Sequence, residues 1–346
     1  MKIRYLLLFS AAVLAAGAVA FYTLTMRPYA GFSKPVLIDL PRGLSTRAMA
    51  DRLAAQGVIP TPLSFLAIRL LRPNDRLQAG EYEFRSAASP RQVFERIHRG
   101  DVFHYQLTIP EGSHRWDIAR IIASLGFISE SDFLKAAADP SLIADLAPQA
   151  TSLEGYLFPS TYRVTRHTTA RQLCRMMTDE FRAEWNRLTP PAAAAVHQLV
   201  TLASLVEKET GVPAERATVA SVYTNRLAQG IKLECDPTVI YAALLENRYR
   251  GTIYKSDLEN LHPYNTYRHP GLPPGPIASP GRAALDAALH PADTPFIFFV
   301  AKPDGSGGHQ FTTNLSAHNK AVAEYRRGLK ENSTEGVAGA APANRD

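Results

Sequence analysis

Pro41-Arg-Gly-Leu-Ser-Thr-Arg-Ala-Met-Ala-Asp-Arg-Leu-Ala-Ala-Gln-Gly-Val-Ile59 aligns without a gap on Pro110-Glu-Gly-Ser-His-Arg-Trp-Asp-Ile-Ala-Arg-Ile-Ile-Ala-Ser-Leu-Gly-Phe-Ile128, and Pro, Gly, Ala, Gly and Ile coincide. Each copy follows an alternating stretch, residues 36–40 and 105–109, and reads as a strand, a Pro-x-Gly turn, an amphipathic helix and a glycine stop. Two copies of a β-turn-α unit are too few for a solenoid, so the duplication predicts a packing unit repeated inside one α+β region. Between the copies, residues 77–84 alternate like a strand and residues 90–99 have the pattern of a short helix. The expected order through residue 150 is therefore β-α-β-α-β-α.

Toward the N-terminus, Lys2 and Arg4 precede a run without charge over residues 5–26. A bilayer core needs roughly 20 apolar residues, whereas the apolar part of a cleaved signal spans only ~7–15. Ala15 and Ala20 supply small residues of the kind found at a cleavage site, but the run continues through Phe21, Tyr22 and Leu24, with aromatics where an interfacial belt belongs. An anchor is the favoured reading. Lys2 and Arg4 then keep residues 1–4 in the cytoplasm, and the chain from residue 27 onward lies across the membrane.

Toward the C-terminus the character changes near residue 151. Helical patterns cover 169–187, 192–209 and 215–229, and a long loop over 262–280 is too rich in Pro and Gly for a helix or a central strand. Phe296-Ile-Phe-Phe-Val300 and Gln310-Phe-Thr-Thr313 flank a glycine-rich turn and predict a β-hairpin; no helix follows those glycines, so they do not form a phosphate cradle. Residues 331–346 are small and polar and read as a disordered tail.

Across 346 residues, 46% are hydrophobic, enough for a sizeable core, and the net charge of +6 comes from scattered Lys and Arg rather than a basic block. Nucleic acid is not an expected partner. The two cysteines, Cys174 and Cys235, exclude a disulfide-dense scaffold and fit no zinc spacing, and the histidines show no His-Glu-x-x-His pattern. Neither a metal nor a cofactor is expected.

The chemistry points to Leu205-Val-Glu-Lys-Glu-Thr-Gly211, which closes an apolar helix with two acids. Glu207 and Glu209 fall at opposite edges of the stripe made by Val196, Leu199, Val200, Ala203 and Val206, and periodicity does not choose between them. A carboxyl at the rim of such a stripe is partly desolvated, which favours its protonated form and suits general acid work.

Several further stretches accompany this one: Leu153-Glu-Gly-Tyr-Leu-Phe-Pro159, Val219-Ala-Ser-Val-Tyr-Thr-Asn-Arg-Leu227, Asp236-Pro-Thr-Val-Ile-Tyr241, Tyr264-Asn-Thr-Tyr267, Gly271-Leu-Pro-Pro-Gly275 and His309-Gln-Phe-Thr-Thr-Asn314. In this order, over nearly the whole chain, they resemble the endolytic murein transglycosylases of the YceG-like (MltG) type. The resemblance implies a single-pass inner-membrane anchor over 5–26, a LysM-like α+β region over 27–150 and a mostly helical periplasmic catalytic domain over 151–330 with its long loop and hairpin. Glu209-Thr210 and Tyr264-Asn265 match the glutamate and the later Tyr-Asn of lytic transglycosylases, which selects Glu209 as the catalytic acid/base. Glu207, Asp236, Tyr264, Asn265, Tyr267, Thr312 and Asn314 are the candidate substrate-binding residues, and Asp236 ahead of Pro237 also reads as a helix N-cap. Glu234 and Cys235 depart from the Gln and small polar residue that the family commonly carries there.

The implied reaction cleaves the β-1,4 bond between N-acetylmuramic acid and N-acetylglucosamine and leaves a 1,6-anhydro-muramyl end. It would act on nascent strands, ending their elongation, with peptidoglycan synthases as candidate partners. Two alternatives stay open on sequence: a non-catalytic peptidoglycan-binding envelope protein, and a muramidase that uses water.

Overall fold

The computed structural model describes residues 2–191 and 195–338, and the chain divides into two units, residues 1–106 with 163–168, and residues 107–162 with 169–346. Unit 1 begins with α1 (Lys2–Met26), whose apolar stretch Ile3–Met26 is long enough to cross a bilayer by length and composition. It continues through β1 (Val36–Leu40), α2 (Thr46–Ala55), α3 (Pro62–Leu71), β2 (Gly80–Phe84) and α4 (Pro90–Arg99). β1 and β2 pair antiparallel from Val36 opposite Phe84 to Leu40 opposite Gly80. Alternation on these strands turns Ile38, Leu40, Tyr82 and Phe84 into a core shared with Leu53, Phe65, Phe94 and Ile97 from the three helices. Ser89 and Gln92 close a capping box at the start of α4, and Gly100 ends it in the left-handed region.

β3 (Tyr105–Thr108) and β4 (Thr161–Val164) form a second two-stranded sheet. Unit 2 holds α5 (Arg115–Ala123), α6 (Glu130–Ala137), α7 (Ala170–Arg187), α8 (Val196–Glu209), α9 (Arg216–Ala228), α10 (Asp236–Leu245), α11 (Lys255–Leu258) and α12 (Arg282–Leu289). The hairpin of β5 (Phe298–Ala301) and β6 (His309–Thr312) pairs Phe298 with Thr312 and Ala301 with His309, and α13 (Leu315–Ala338) follows. α8 is central: Val200, Ala203, Leu205 and Val206 are buried, and the helix packs against α9, α10 and α12.

The repeat is structurally real. Gly43 and Gly112 both take positive φ in the turn, Gly57 and Gly126 do so at the helix stop, and a side chain would be strained at any of them. Even the N-caps correspond: Ser45 accepts from the Ala48 N–H and His114 from the Asp117 N–H. The expected placement of both copies within one region over 27–150 differs from the observed division. Copy one lies in unit 1 and copy two in unit 2, where Leu107, Ile109, Ile118 and Ile122 are buried. The order through residue 150 also gains two helices, α6 and α3, the latter apolar on more than one side. α13 runs to Ala338, into the stretch 331–346 expected to be a disordered tail; residues 339–346 lie outside the described residues.

Candidate active site

α8 stops at Glu209 because Thr210 is extended (φ −132°, ψ 127°) and Gly211 and Pro213 follow. The Thr210 hydroxyl accepts from the Val212 N–H at 3.0 Å and fixes this exit. Glu209 is thereby held at a helix C-terminus, where the aligned peptide dipoles disfavour negative charge. Its carboxyl opens onto a cleft of about 680 Å³ bounded by Tyr223 and Arg226 of α9, Leu233, Glu234 and Asp236, Tyr267 of the long loop, Phe299 of β5, and one face of α13.

Tyr223 is buried in the core, and its hydroxyl donates to Glu209 Oε1 at 2.8 Å. The Cys235 thiol is within hydrogen-bonding range of the same carboxyl. Burial raises the Glu209 pKa; the Cys235 and Tyr223 hydrogen bonds oppose that rise, the Asp236 charge adds to it, and His309 opposes it. The net effect is upward, toward a carboxyl that holds its proton. Tyr223 and Cys235 are themselves pushed well above their ordinary values, first by burial, so both stay protonated as donors. Cys174 is buried as well, and both cysteines are free.

Glu207 faces elsewhere. It accepts from the Gly281 N–H at the head of α12 at 3.0 Å, lies 3.8 Å from Arg216, and does not line the Glu209 cleft. Burial raises its pKa also, so titration alone does not separate the two acids. Asp236 does line the cleft and accepts from the Tyr267 hydroxyl at 2.6 Å. The N-cap of α10 is Cys235 rather than Asp236, which sits one residue inside the helix and keeps its carboxyl for the cleft.

Three other candidates occupy structural positions. Asn265 is fully buried: its amide donates to the Asp257, Leu258 and Asn260 carbonyls, and its oxygen accepts from the Tyr267 N–H. It therefore staples the long loop instead of presenting its amide to a ligand. Asn314 caps α13 by accepting from the Ala317 N–H at 2.9 Å. Thr312 is buried on β6, and its hydroxyl has no hydrogen-bond partner among the described residues. Neither Asn314 nor Thr312 lines the cleft.

Tyr264 belongs to a separate aromatic group. Its ring lies 5.0 Å from that of Tyr241, which in turn lies 5.6 Å from Trp116. Beneath them Glu154 is sealed from solvent, accepting from the Arg115 N–H and from the Tyr241 hydroxyl at 3.0 Å, and burial lifts its pKa to about 7.

Arg226 was legible only as part of a motif, without a role. The side chain is buried, donating to the carbonyls of Ile297, Lys232 and Leu233 and pairing with Glu234 at 3.3 Å, with its guanidinium 4.8 Å from the Phe298 ring. It ties the hairpin to the 231–235 segment, where Glu234 takes the left-handed conformation at φ 53°. His309 is similarly fixed, with Glu215 accepting from both its backbone N–H and its ring.

A partly buried carboxyl whose pKa is raised by burial, beside two donors and with a second carboxyl across an open cleft, has the features that general acid chemistry requires. Residues 38–324 match the model of the YceG-like family. Over 329 residues the chain is 31% identical to the endolytic murein transglycosylase of Bacillus subtilis (strain 168), covering 89% of this chain and 90% of that protein. It is 28% identical over 331 residues to the endolytic murein transglycosylase of Streptococcus pneumoniae serotype 2 (strain D39 / NCTC 7466), covering 86% of this chain and 59% of that longer protein. A crystal structure of a YceG-like protein from Listeria monocytogenes superposes with a TM-score of 0.53 at 30% identity, covering 84% of this chain and 99% of that one. The chain belongs to the YceG-like family.

Proposed function

We propose that this protein is a membrane-anchored murein transglycosylase in which Glu209 is the acid/base. The observation that carries the reading is the Glu209 carboxyl itself, raised in pKa by burial and hydrogen-bonded by Tyr223 where it meets an open cleft. The names of the relatives from B. subtilis and S. pneumoniae support murein as the polymer.

In the proposed reaction Glu209 gives its proton to the glycosidic oxygen as the bond from N-acetylmuramic acid C1 to that oxygen breaks. The resulting carboxylate then takes the proton of the muramyl 6-hydroxyl, whose oxygen closes onto C1 as a 1,6-anhydro ring. One proton has moved from O6 to the leaving oxygen, and no water is consumed. An ordinary glycosidase needs a second carboxylate as nucleophile or base; here the substrate's own hydroxyl takes that part. Asp236 and Tyr267 are proposed as sugar-positioning groups on the opposite wall, already tied to each other at 2.6 Å.

The anchor reading of α1 rests on its length and the uncharged run over residues 5–26, and the cytoplasmic N-terminus with a periplasmic catalytic unit rests on Lys2 and Arg4 ahead of that run. The LysM-like reading of residues 27–150 is retained as a proposal. Action on nascent strands, and peptidoglycan synthases as partners, complete the proposal.

The test is mass spectrometry of fragments released from purified peptidoglycan by the full chain. Anhydro-ended products, absent with Glu209→Gln, are expected. Products carrying an added water would replace this mechanism with a muramidase in which Asp236 is the natural second carboxylate, and equal release by Glu209→Gln would remove Glu209 from catalysis.

A further inference from the structure

α3 is apolar on two faces, and only one of them is used. Phe65 and Ile68 are buried in the core of unit 1, and Leu66 packs against that core. On the other side Leu63, Ala67, Leu70 and Leu71 recur at i, i+4, i+7 and i+8, a single helical stripe. Leu63, Leu70 and Leu71 are 64%, 81% and 67% exposed. No other short helix among the described residues presents three leucines this open to solvent. A helix apolar all round is ordinarily buried in protein or in lipid.

Its position in unit 1 indicates which. α1 packs against α3 and α4, and loss of exposure along α1 is confined to Phe21, Leu24, Thr25 and Met26 at its end. Pro60, just ahead of α3, borders the same hollow as Ala20, Thr23 and Leu24 of α1. At 1.5 Å per residue the stretch from Arg4 to Met26 is about 33 Å long, close to the ~30 Å of a hydrocarbon core. Ala20 to Leu24 therefore fall within the last ~9 Å of the span, at the outer boundary of the core. The exposed apolar surface of α1 continues directly into the neighbourhood of α3.

We infer that α3 is an interfacial helix, with its Leu63–Leu70–Leu71 stripe seated in the outer surface of the lipid bilayer beside the point where α1 emerges. The occupant of this face is lipid, and unit 1 is held to the membrane by two elements instead of one. The inference rests on the reading of α1 as a membrane span.

The test uses the full chain in vesicles of phosphatidylethanolamine and phosphatidylglycerol, with an environment-sensitive fluorophore on Leu63→Cys, Leu70→Cys or, in α1, Leu14→Cys. Cys174 and Cys235 are buried, so labelling is directed to the introduced thiol, and the α3 sites are exposed enough that substitution leaves the core intact. Spin-labelled lipids bearing shallow or deep quenchers are compared with aqueous iodide. Deep quenching at position 14 together with shallow quenching at 63 and 70, corresponding to a depth of about 5–10 Å, is expected. Deep quenching at 14 with only iodide reaching 63 and 70 would overturn the interfacial helix and leave the anchor standing. Absence of lipid quenching at 14 would overturn both. Protection of 63 and 70 from lipid and iodide alike would mean that protein covers the stripe, a second copy included, and would also overturn the inference.

Discussion

Replacing Tyr223 with Phe removes one hydrogen bond from the proposed acid and should move the pH profile in a defined direction. The hydroxyl donates to Glu209 Oε1 at 2.8 Å, so it favours the ionised carboxylate over the acid. Burial already pushes the Glu209 pKa up, and Tyr223 is one of the two hydrogen-bonding groups that hold it down. A hydrogen bond to a charged group is worth about 1.5–3 kcal/mol, and about 1.4 kcal/mol corresponds to one pKa unit, so its loss should raise the Glu209 pKa by about 1–2 units. Cys235 remains as a donor, which places the expectation at the lower end. Because the acid must enter the reaction protonated, the alkaline limb of kcat/KM, which reports the free enzyme, should shift upward by that amount. Initial rates on soluble glycan strands at subsaturating concentration, measured across pH for wild type and Tyr223→Phe, give the limb directly. A limb that stays in place or moves downward would refute the assignment of Tyr223 as the donor that tunes Glu209.

Glu209→Gln should lose about 10²–10⁴-fold in rate while becoming more heat-stable than wild type at high pH, as seen in paired melting curves. An acid with a raised folded pKa contributes stability below its unfolded pKa, which is lost as pH rises through the folded value, and Gln removes that loss. Glu154→Gln isolates the same effect away from the cleft: between its ordinary 4.5 and the folded value of about 7 wild type should lose stability with rising pH, and the variant should show a flatter melting profile. The expected difference by pH 8 is about 3 kcal/mol. Glu207→Gln keeps an oxygen for the Gly281 N–H and should retain activity within several-fold of wild type; a loss as deep as that of Glu209→Gln would transfer the acid role to Glu207. Asn265→Ala removes the side-chain partner of three carbonyls and one backbone N–H, of which the Asp257 carbonyl keeps the Asn260 N–H, and should cost about 2–4 kcal/mol in denaturant unfolding. An unchanged midpoint would contradict its role as a staple.

The elements visible in the sequence were those with a one-sided or alternating pattern closed by local chemistry. Val36–Leu40 and Pro90–Arg99 coincide with β1 and α4 because alternation marks the first, and a capping box with a closing glycine marks the second. α3 escaped because its residues are apolar on more than one side, and of α10 only the start at Asp236-Pro237 was legible, since a period that is absent carries no information. Where the two compact units divide was not legible for a related reason. A repeat establishes that two segments fold alike, but their assignment to separate cores depends on which distant residues they bury against. At the site, residue type indicated chemistry but not orientation: Asn265 and Asn314 have amides suited to sugar, yet both spend them on backbone, one on a loop and the other on a helix end. Tyr267 and Asp236 meet across 31 positions of sequence, and nothing local in either residue announces the other.

The separation of Glu207 from Glu209 shows what the end of α8 accomplishes. Two residues along a helix rotate by about 200°, so one carboxyl turned toward the cleft forces the other nearly to the opposite side. Burial raises both, and neither desolvation nor helical pattern distinguishes an acid that reacts from one that supports. Their partners do. Glu207 is bound by a backbone N–H at the head of α12, a fixed donor that commits the carboxyl to joining two helices. Glu209 is bound by a phenol on α9 that itself lines the cleft, leaving the carboxyl open to a ligand. Ending the helix at Thr210 leaves the last side chain without a following turn, while the helix dipole and burial both favour its protonated form. An acid two residues earlier has the same chemistry but is tied to Gly281 and Arg216, so in the proposed mechanism the position of the helix stop selects Glu209 over Glu207.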